Sequence, residues 1–276
     1  MSDVLLSRRG RRGLAVFFGA FLVFLYAPTV VLIAFSFNSS SVAALPFEGL
    51  TTRWYEAAWQ NVEIRNALVA TIQVGLGVAL LATAISVAVS YALARRRFPG
   101  RSLVSALVLV PLVVPTVVLG VSLLVLFRPD QPPIFFLAVP LSLWAVLIGH
   151  IVIALPFCVL ILMPRIASID RRLEEAAEDL GASWMLTFRR IVLPLITPAL
   201  ISALLVAFVV SVDEVVIASF LVGEQVTLPV YLYSSLRFAE RTMIMVPVAT
   251  VMITASFVLV IAAELIRRVG DRRVGL

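Results

Sequence analysis

The sequence of 276 residues contains no lysine, one cysteine (Cys158) and one histidine (His150). Without lysine the chain cannot form a P-loop, in which lysine contacts the nucleotide phosphates, or a lysine Schiff base. One cysteine cannot form an internal disulfide, and one cysteine with one histidine is too few for a Cys/His zinc site. We therefore expect no cofactor or metal on this chain, and any energy from ATP has to come from a separate protein.

Charged side chains are also scarce, at 14% of the sequence, whereas hydrophobic residues make up 62% and the mean hydropathy is +1.09. Soluble domains average about 25% charged residues. A transmembrane helix needs about 20 mainly apolar residues, and six stretches qualify. They are residues 14–37, 67–94, 102–127, 137–163, 195–222 and 245–266. The pattern predicts an all-α polytopic membrane protein with six transmembrane helices over residues 14–266, flanked by tails at 1–13 and 267–276.

The arginines predict the orientation of these helices. Seventeen of the 22 arginines lie in the two tails or in the connections 95–101 and 164–194, and five lie in the other connections. Because cytoplasmic connections of membrane proteins are enriched in basic residues, both termini are expected in the cytoplasm. The arginines are thus interpreted as anchors in a lipid bilayer, and the basic composition requires no nucleic-acid partner.

The second, third and fourth stretches carry packing signals. In stretch 67–94 small residues recur at spacings of three and four, which lets neighbouring helices approach closely. These residues are Gly75, Ala79, Ala82, Ser86, Ser90 and Ala94. Prolines inside stretches three and four (Pro111, Pro115, Pro140 and Pro156) predict kinks, which either shape a pathway or serve the packing. On the outer side, residues 227–238 are expected to form a short helix on, or dipping into, the outer mouth.

The connection 164–194 is longer and more charged than the other cytoplasmic connections. Asp170 is a suitable N-cap for a helix rich in strong helix formers, and Gly181 suits the end of that helix, where a positive φ is favourable. A second helical stretch then leads to Pro194, where the next span is expected to begin. A charged surface loop is the simpler alternative, but the order of these signals favours a helix–glycine turn–helix element that docks a partner.

Seven positions of this connection match the EAA signature, E-A-A-x3-G-x9-I-x-L-P. They are Glu175, Ala176, Ala177, Gly181, Ile191, Leu193 and Pro194. In this motif the chain resembles the binding-protein-dependent permeases of ABC importers. The resemblance implies the type I importer permease fold, a bacterial inner membrane location, and a role for these seven residues in coupling to a cytoplasmic ATPase subunit.

The resemblance also implies a set of partners. These are a second permease subunit forming a heterodimer, two copies of the ATPase subunit that hold ATP and Mg²⁺, and a periplasmic solute-binding protein. Further segments, at 47–66, 91–100, 211–216, 220–223 and 227–237, resemble the spermidine/putrescine permease branch, and most closely its C-type subunit. This likeness implies a polyamine as the solute, with an opine, aminoethylphosphonate or an amino acid derivative as alternatives within the same machinery.

Two carboxylates lie deep within a predicted span, Asp213 and Glu214. A carboxylate near the bilayer centre costs about 2.5–3.5 kcal/mol on insertion scales, so it normally faces a cavity or a partner. On a continuous helix Glu214 shares a small, polar face with Ser211, whereas Asp213 lies on an apolar face. We therefore assign Glu214, and secondarily Asp213 and Ser211, to a translocation pathway, although a structural role for both acids is an equal alternative.

Other functional classes have less support in the sequence. His150 lies on an apolar face and is expected to be a buried structural residue, and Cys158 a core residue. No nucleophile–base pair or metal constellation is present in the sequence, so a transport subunit is expected rather than an enzyme. A self-contained secondary transporter would be expected to show an ion site and an inverted repeat, and the sequence shows neither. A scaffold without transport activity would leave the EAA signature unexplained.

Overall fold

The computed structural model describes residues 8–42, 46–127, 139–238 and 241–273. In these ranges the regular structure is helical, and the described backbone contains no strand beyond an isolated bridge between Asn38 and Leu50. The all-α prediction is confirmed. The helices are α1 (Arg8–Phe35), α2 (Arg53–Gln60), α3 (Val62–Arg95), α4 (Arg101–Leu109), α5 (Thr116–Leu126), α6 (Leu143–Ser168), α7 (Arg171–Asp179), α8 (Trp184–Thr187), α9 (Leu193–Val212), α10 (Val216–Leu221), α11 (Leu228–Ser235) and α12 (Thr242–Arg273).

Five helices are long and apolar enough to cross a membrane, and a sixth span exists if the bent pair α4–α5 counts as one. The two helices of that pair meet at an angle of 106°. Pro111 lies in the 3₁₀ turn between them, and Pro115 immediately precedes α5. A proline cannot donate a backbone hydrogen bond and disfavours helical geometry in the residue before it. The polytopic prediction is therefore confirmed, with the third predicted span sharply bent at its prolines.

The predicted span 195–222 is not one continuous helix. α9 ends at Val212 and α10 begins at Val216, which leaves a three-residue break at positions 213–215. At its other end the helix begins earlier than expected, at Trp184, and passes through a π-helical turn, Phe188–Val192, before Pro194. Because Pro194 has no N–H to donate to a carbonyl one turn earlier, the regular hydrogen-bond pattern is interrupted where the wider turn lies.

The described residues form two compact units, one within Met1–Gln60 and Ser235–Val251 and the other within Asn61–Ser234 and Met252–Leu276. In the second unit α3, α6 and α9 pack against one another. The small residues of α3 are buried in this packing, as predicted, with Ala94 half-buried. At Gly75 an added Cβ would lie 2.9 Å from the Phe208 ring of α9, so a larger residue would require the Phe208 side chain to shift.

Cys158 lies where these three helices meet. Its Sγ is 3.8 Å from Thr83 Oγ1 of α3 and 3.6 Å from the Ala203 carbonyl oxygen of α9. Nearby, Ser86 Oγ donates to the Leu155 carbonyl oxygen of α6 over 3.3 Å. Cys158 is fully buried and behaves as the small core residue that the sequence predicts.

In the first unit the connection between α1 and α2 is organised by Asn38, which is fully buried. Its Oδ1 accepts hydrogen bonds from the backbone N–H groups of Ser40 (3.3 Å) and Glu48 (3.1 Å), and Trp54 Nε1 donates to its carbonyl oxygen (2.9 Å). These three hydrogen bonds use the side-chain and backbone oxygens of Asn38 to hold the described parts of the connection together.

Gly223 occupies a site where two backbone segments lie close together. The Ser142 N–H donates to the Leu221 carbonyl oxygen over 3.1 Å, and a Cβ on Gly223 would overlap the carbonyl oxygen of Leu141. A neighbouring side chain can rotate away from such a clash, but a backbone carbonyl has to shift with its segment. We infer that only glycine fits at position 223 without a shift of the backbone.

We expect Gly223→Ala to lower the thermal stability of the purified protein by several degrees, because overpacking of this kind costs about 1–3 kcal/mol. Gly19→Ala is the matched control, since a Cβ at Gly19 meets nothing within 4 Å. The unfolding temperature of both variants in detergent is measured by tryptophan fluorescence. Equal unfolding temperatures for the two variants would contradict the close approach at Gly223.

Candidate functional site

The helix–glycine turn–helix element over residues 170–187 forms as the sequence predicts. Asp170 caps α7, and its Oδ1 accepts from the Arg172 N–H over 3.0 Å. Gly181 has a φ of +81°, the left-handed conformation that glycine adopts without strain from a Cβ. The Ala182 N–H donates to the Ala177 carbonyl oxygen (2.9 Å), which closes the end of α7 in a Schellman motif. We call residues 170–187 the docking element.

The docking element is continuous with a membrane helix. The helical segment that begins at Trp184 runs without a break to Val212, through α8, the π-helical turn and α9. Ile191 and Leu193 are half-buried at this junction, and Pro194 is exposed. At the same junction Arg165 of α6 donates from Nε and Nη2 to the Leu195 carbonyl oxygen, over 3.1 and 2.9 Å. The docking element and α9 are therefore joined by continuous helical backbone.

The outward face of the docking element combines apolar and charged side chains. Glu175 and Ala176 are exposed, and Ala177 is half-buried. Around them Leu180 is 89% exposed and Met185 is 60% exposed. Large apolar side chains grouped on an ordered, charged surface are characteristic of a protein contact. An ordered surface of this kind is compatible with the predicted docking of a partner, which stays a prediction, as does the alternative of a charged surface loop.

The inward face is held by Glu174, which the sequence reasoning did not single out. Glu174 Oε1 lies 2.7 Å from Arg95 Nε, and each of these side chains is only 9% exposed. Tyr91 OH donates to Glu174 Oε2 (2.7 Å), and Arg95 Nη2 donates to the Ile169 carbonyl oxygen (3.0 Å). Trp184 Nε1 in turn donates to Tyr91 OH (3.2 Å). These bonds fasten the docking element to the end of α3, and we call Tyr91, Arg95 and Glu174 the anchor.

A sequence signal for the anchor exists but is weak. Glu174 and Glu175 are adjacent on α7, so their side chains point about 100° apart and cannot both face outward. Tyr91 and Arg95 are spaced by four residues on α3 and therefore share a face of that helix. Neither observation indicates by itself that α3 and α7 lie in contact.

The break between α9 and α10 contains both intramembrane carboxylates. Asp213 is exposed, and its Oδ1 accepts from Ser256 Oγ of α12 over 3.1 Å. Glu214 is half-buried, and its Oε1 accepts from the Ile217 N–H over 2.9 Å at the start of α10. The face comparison that favoured Glu214 assumed a continuous helix, and the break removes that assumption. The assignment of either acid to the pathway stays a prediction.

Ser211 and His150 form a buried pair beside this break. Ser211 Oγ and His150 Nδ1 lie 2.9 Å apart, and the two residues are 3% and 1% exposed. The hydrogen bond joins α9 to α6, in keeping with the structural role expected for His150. Ser211 thus faces the helix packing, whereas Asp213, two residues later, faces outward.

Residues 84–275 match the family described as "Binding-protein-dependent transport system inner membrane component". The chain is 36% identical over 253 residues to the spermidine/putrescine transport system permease protein PotC of Escherichia coli (strain K12), which covers 91% of this chain and 92% of that protein. It is 35% identical over 218 residues to the putrescine transport system permease protein PotI of the same strain, which covers 78% of this chain and 76% of PotI.

The fold also resembles solved transporters. A bacterial ABC transporter involved in the import of the acidic polysaccharide alginate matches with a TM-score of 0.68 and 19% identity, over 96% of this chain and 98% of that chain. The methionine ABC transporter MetNI in an inward-facing conformation matches with a TM-score of 0.57 and 20% identity, over 76% of this chain and 99% of that chain. At these identities the likeness concerns the fold. Together with the family match over residues 84–275, it shows that this chain belongs to the binding-protein-dependent inner membrane components, the permeases of ABC importers.

Proposed function

We propose that this chain is one of two permease subunits in a bacterial inner-membrane importer and that it moves solute inward at the expense of ATP hydrolysed by a separate cytoplasmic ATPase. The observation that carries the proposal is the docking element, which is ordered, exposed on one face and anchored on the other. Both termini and the docking element lie on the cytoplasmic side. A periplasmic binding protein delivers the solute, and ATP with Mg²⁺ stays on the ATPase subunits.

The proposed coupling mechanism follows from the two faces of the docking element. The ATPase contacts the outward face, around Glu175, Ala176 and Leu180. Closure of two ATPase subunits displaces this face, and the anchor passes the displacement to α3 while the continuous backbone passes it to α9. Because α3 and α9 pack on α6, these helices tilt together and change the side of the membrane to which the pathway opens.

A polyamine is the proposed solute, since the relatives named for spermidine and putrescine transport cover most of the chain. Asp213 supports this choice, because an exposed carboxylate beside a helix break attracts a cationic amine. An opine, aminoethylphosphonate or an amino acid derivative remains the alternative cargo for the same machinery. The family membership argues against a self-contained secondary transporter.

We expect Gly181→Val to release the ATPase and to abolish uptake, because a β-branched residue at a φ of +81° forces the turn of the docking element into another conformation. Gly100→Val is the matched control: its φ is +83°, and its surroundings are equally open. Copurification of the ATPase with the tagged permease should fall at least tenfold for Gly181→Val and less than twofold for Gly100→Val. Full ATPase retention and uptake by Gly181→Val would refute the docking assignment.

Loss of the anchor should uncouple ATP hydrolysis from uptake. Removing one partner of a buried ion pair costs about 3–5 kcal/mol, so we expect Glu174→Gln to loosen the docking element without altering its outward face. Tyr91→Phe is a milder variant that keeps the ring and removes the hydroxyl. In proteoliposomes the number of ATP molecules hydrolysed per solute imported should rise severalfold in both variants.

The control for the anchor is Arg171→Gln, which removes the other arginine–glutamate pair of the docking element. Arg171 Nε lies 3.5 Å from Glu175 Oε1, and the two side chains are 68% and 60% exposed. Exposed pairs contribute about 0–1 kcal/mol, so coupling in this variant should stay within twofold of the wild type. An equal number of ATP molecules hydrolysed per solute imported in Arg171→Gln and Glu174→Gln would show that the buried anchor does not contribute to coupling.

The solute is tested by uptake with the complete transporter. We expect uptake of radiolabelled putrescine or spermidine and expect Asp213→Asn to reduce it more strongly than Glu214→Gln, on the order of tenfold against threefold, because the exposed carboxylate is the accessible one. Both substitutions keep an oxygen that accepts the observed hydrogen bonds. The polyamine assignment would be wrong if the binding protein and the transporter bound and imported neither polyamine. A stronger effect of Glu214→Gln than of Asp213→Asn would favour Glu214 as the pathway residue.

A further inference from the structure

A cavity of about 640 Å³ with both polar and apolar lining residues lies between the first turns of α3 and the segment that leads into α11. Its polar lining residues are Glu63, Asn66, Gln73, Glu224, Gln225 and Tyr231, and the rest of the lining is alanine and valine. The cavity is within the size range of small-molecule sites, about 300–1,000 Å³. It lies in the first half of α3, whereas the anchor lies at the end of that helix.

The polar residues on α3 share one helical face. Glu63, Asn66 and Gln73 are separated by three and seven residues, and Ala70 continues the same face between them. Gln73 lies eleven residues into α3, roughly 16 Å along the helix axis from its start. A glutamine at that depth in an apolar span is expected to face a water-accessible cavity or a partner group. The face therefore extends from the helix start into the span.

The cavity has the charge of a cation site. Two of its lining residues are carboxylates and none of its lining residues is an arginine. Tyr231, which is 8% exposed, donates from its hydroxyl to Glu63 Oε2 over 2.8 Å and so fixes the orientation of that carboxylate. Glu224 is exposed on the segment after α10. An anionic ligand would meet two like charges here, whereas an ammonium group would find carboxylate and amide oxygens as acceptors.

A neighbouring cavity of about 330 Å³ extends this lining. The two cavities share Gln73 and Gln225, and the second is also lined by Trp144, whose side chain is 71% exposed. An indole ring attracts a cation over its face, an interaction of about 0.5–1 kcal/mol at an exposed site. The acidic and aromatic parts of the lining suit ammonium groups, and the apolar part suits methylene chains. An elongated ligand with ammonium groups separated by methylene chains therefore matches the lining of the two cavities.

We propose that these joined cavities form an outer amine vestibule, a site that receives a cationic alkylamine on the outer side of the membrane before it reaches the break at residues 213–215. The inference rests on the proposed import of an amine and adds a second carboxylate site on the same route. Glu63 and Glu224 supply the charge, the amides of Gln73 and Gln225 orient the ammonium groups, and Tyr231 positions Glu63.

The test compares uptake kinetics of the complete transporter, with its binding protein and ATPase, in proteoliposomes. Glu63→Gln keeps an acceptor for the Tyr231 hydroxyl, and the double variant Glu63→Gln/Glu224→Gln removes both charges. We expect the KM for spermidine uptake to rise about tenfold in the double variant, with a change of less than twofold in the maximal rate. Glu56→Gln removes an exposed carboxylate of α2 that lines neither cavity, and its KM should equal that of the wild type.

Two further measurements separate the possible outcomes. The affinity of the binding protein for the permease should be unchanged in the double variant. A tenfold loss of this affinity would place the two carboxylates at the interface with the binding protein and would overturn the vestibule. Calorimetric titration of spermidine into the transporter in nanodiscs, without binding protein, should show binding that the double variant loses. Such binding supports the vestibule even if the transporter imports another solute. Polyamine uptake by the double variant with an unchanged KM and unchanged spermidine binding would overturn the vestibule. That result would leave the proposed import function intact.

Discussion

The ion pair between Arg95 and Glu174 joins the docking element to the membrane helices. Both side chains are 9% exposed, so each charge has lost most of its hydration and depends on its partner. The Tyr91 hydroxyl and the Ile169 carbonyl oxygen add hydrogen bonds that fix the geometry. Because a buried charge without its partner is costly, separating the docking element from the end of α3 is unfavourable. Without this pair the docking element would keep only the hydrogen bonds and ring contact of Tyr91 as described side-chain links to the end of α3.

Helix α3 combines three kinds of surface along its length. Its first turns carry Glu63, Asn66 and Gln73 of the proposed vestibule, its middle carries the buried small residues, and its end carries Tyr91 and Arg95 of the anchor. The small residues allow close approach of neighbouring helices, since a Cβ added at Gly75 would lie within 3 Å of the Phe208 ring of α9. A helix packed this tightly transmits a displacement along its axis with little loss, because close-packed interiors have low compressibility. Helix α3 therefore connects the proposed vestibule at its start with the proposed ATPase contact at its end.

The parts of the structure that depend on local signals were predictable from the sequence. Asp170 and Gly181 mark the two ends of α7 through capping and positive φ, and the spacing of small residues in α3 indicates its buried face. The break at residues 213–215 has no comparable local marker, since neither proline nor glycine is present there. The anchor was also missed, because Arg95 and Glu174 are distant in the sequence and meet only after α3 and α7 have been placed.

The break itself constrains what surrounds this chain. Irregular backbone at membrane depth is tolerated where it is covered by protein or lines a water-filled cavity, because lipid cannot satisfy free N–H and C=O groups. Glu214 satisfies one such group, the Ile217 N–H, while Asp213 remains exposed with a single hydroxyl partner. A carboxylate facing lipid would add about 2.5–3.5 kcal/mol to the cost of insertion. The side of the chain that bears Asp213 is therefore suited to an aqueous pathway or to a second membrane subunit, the two surroundings that the proposed function supplies.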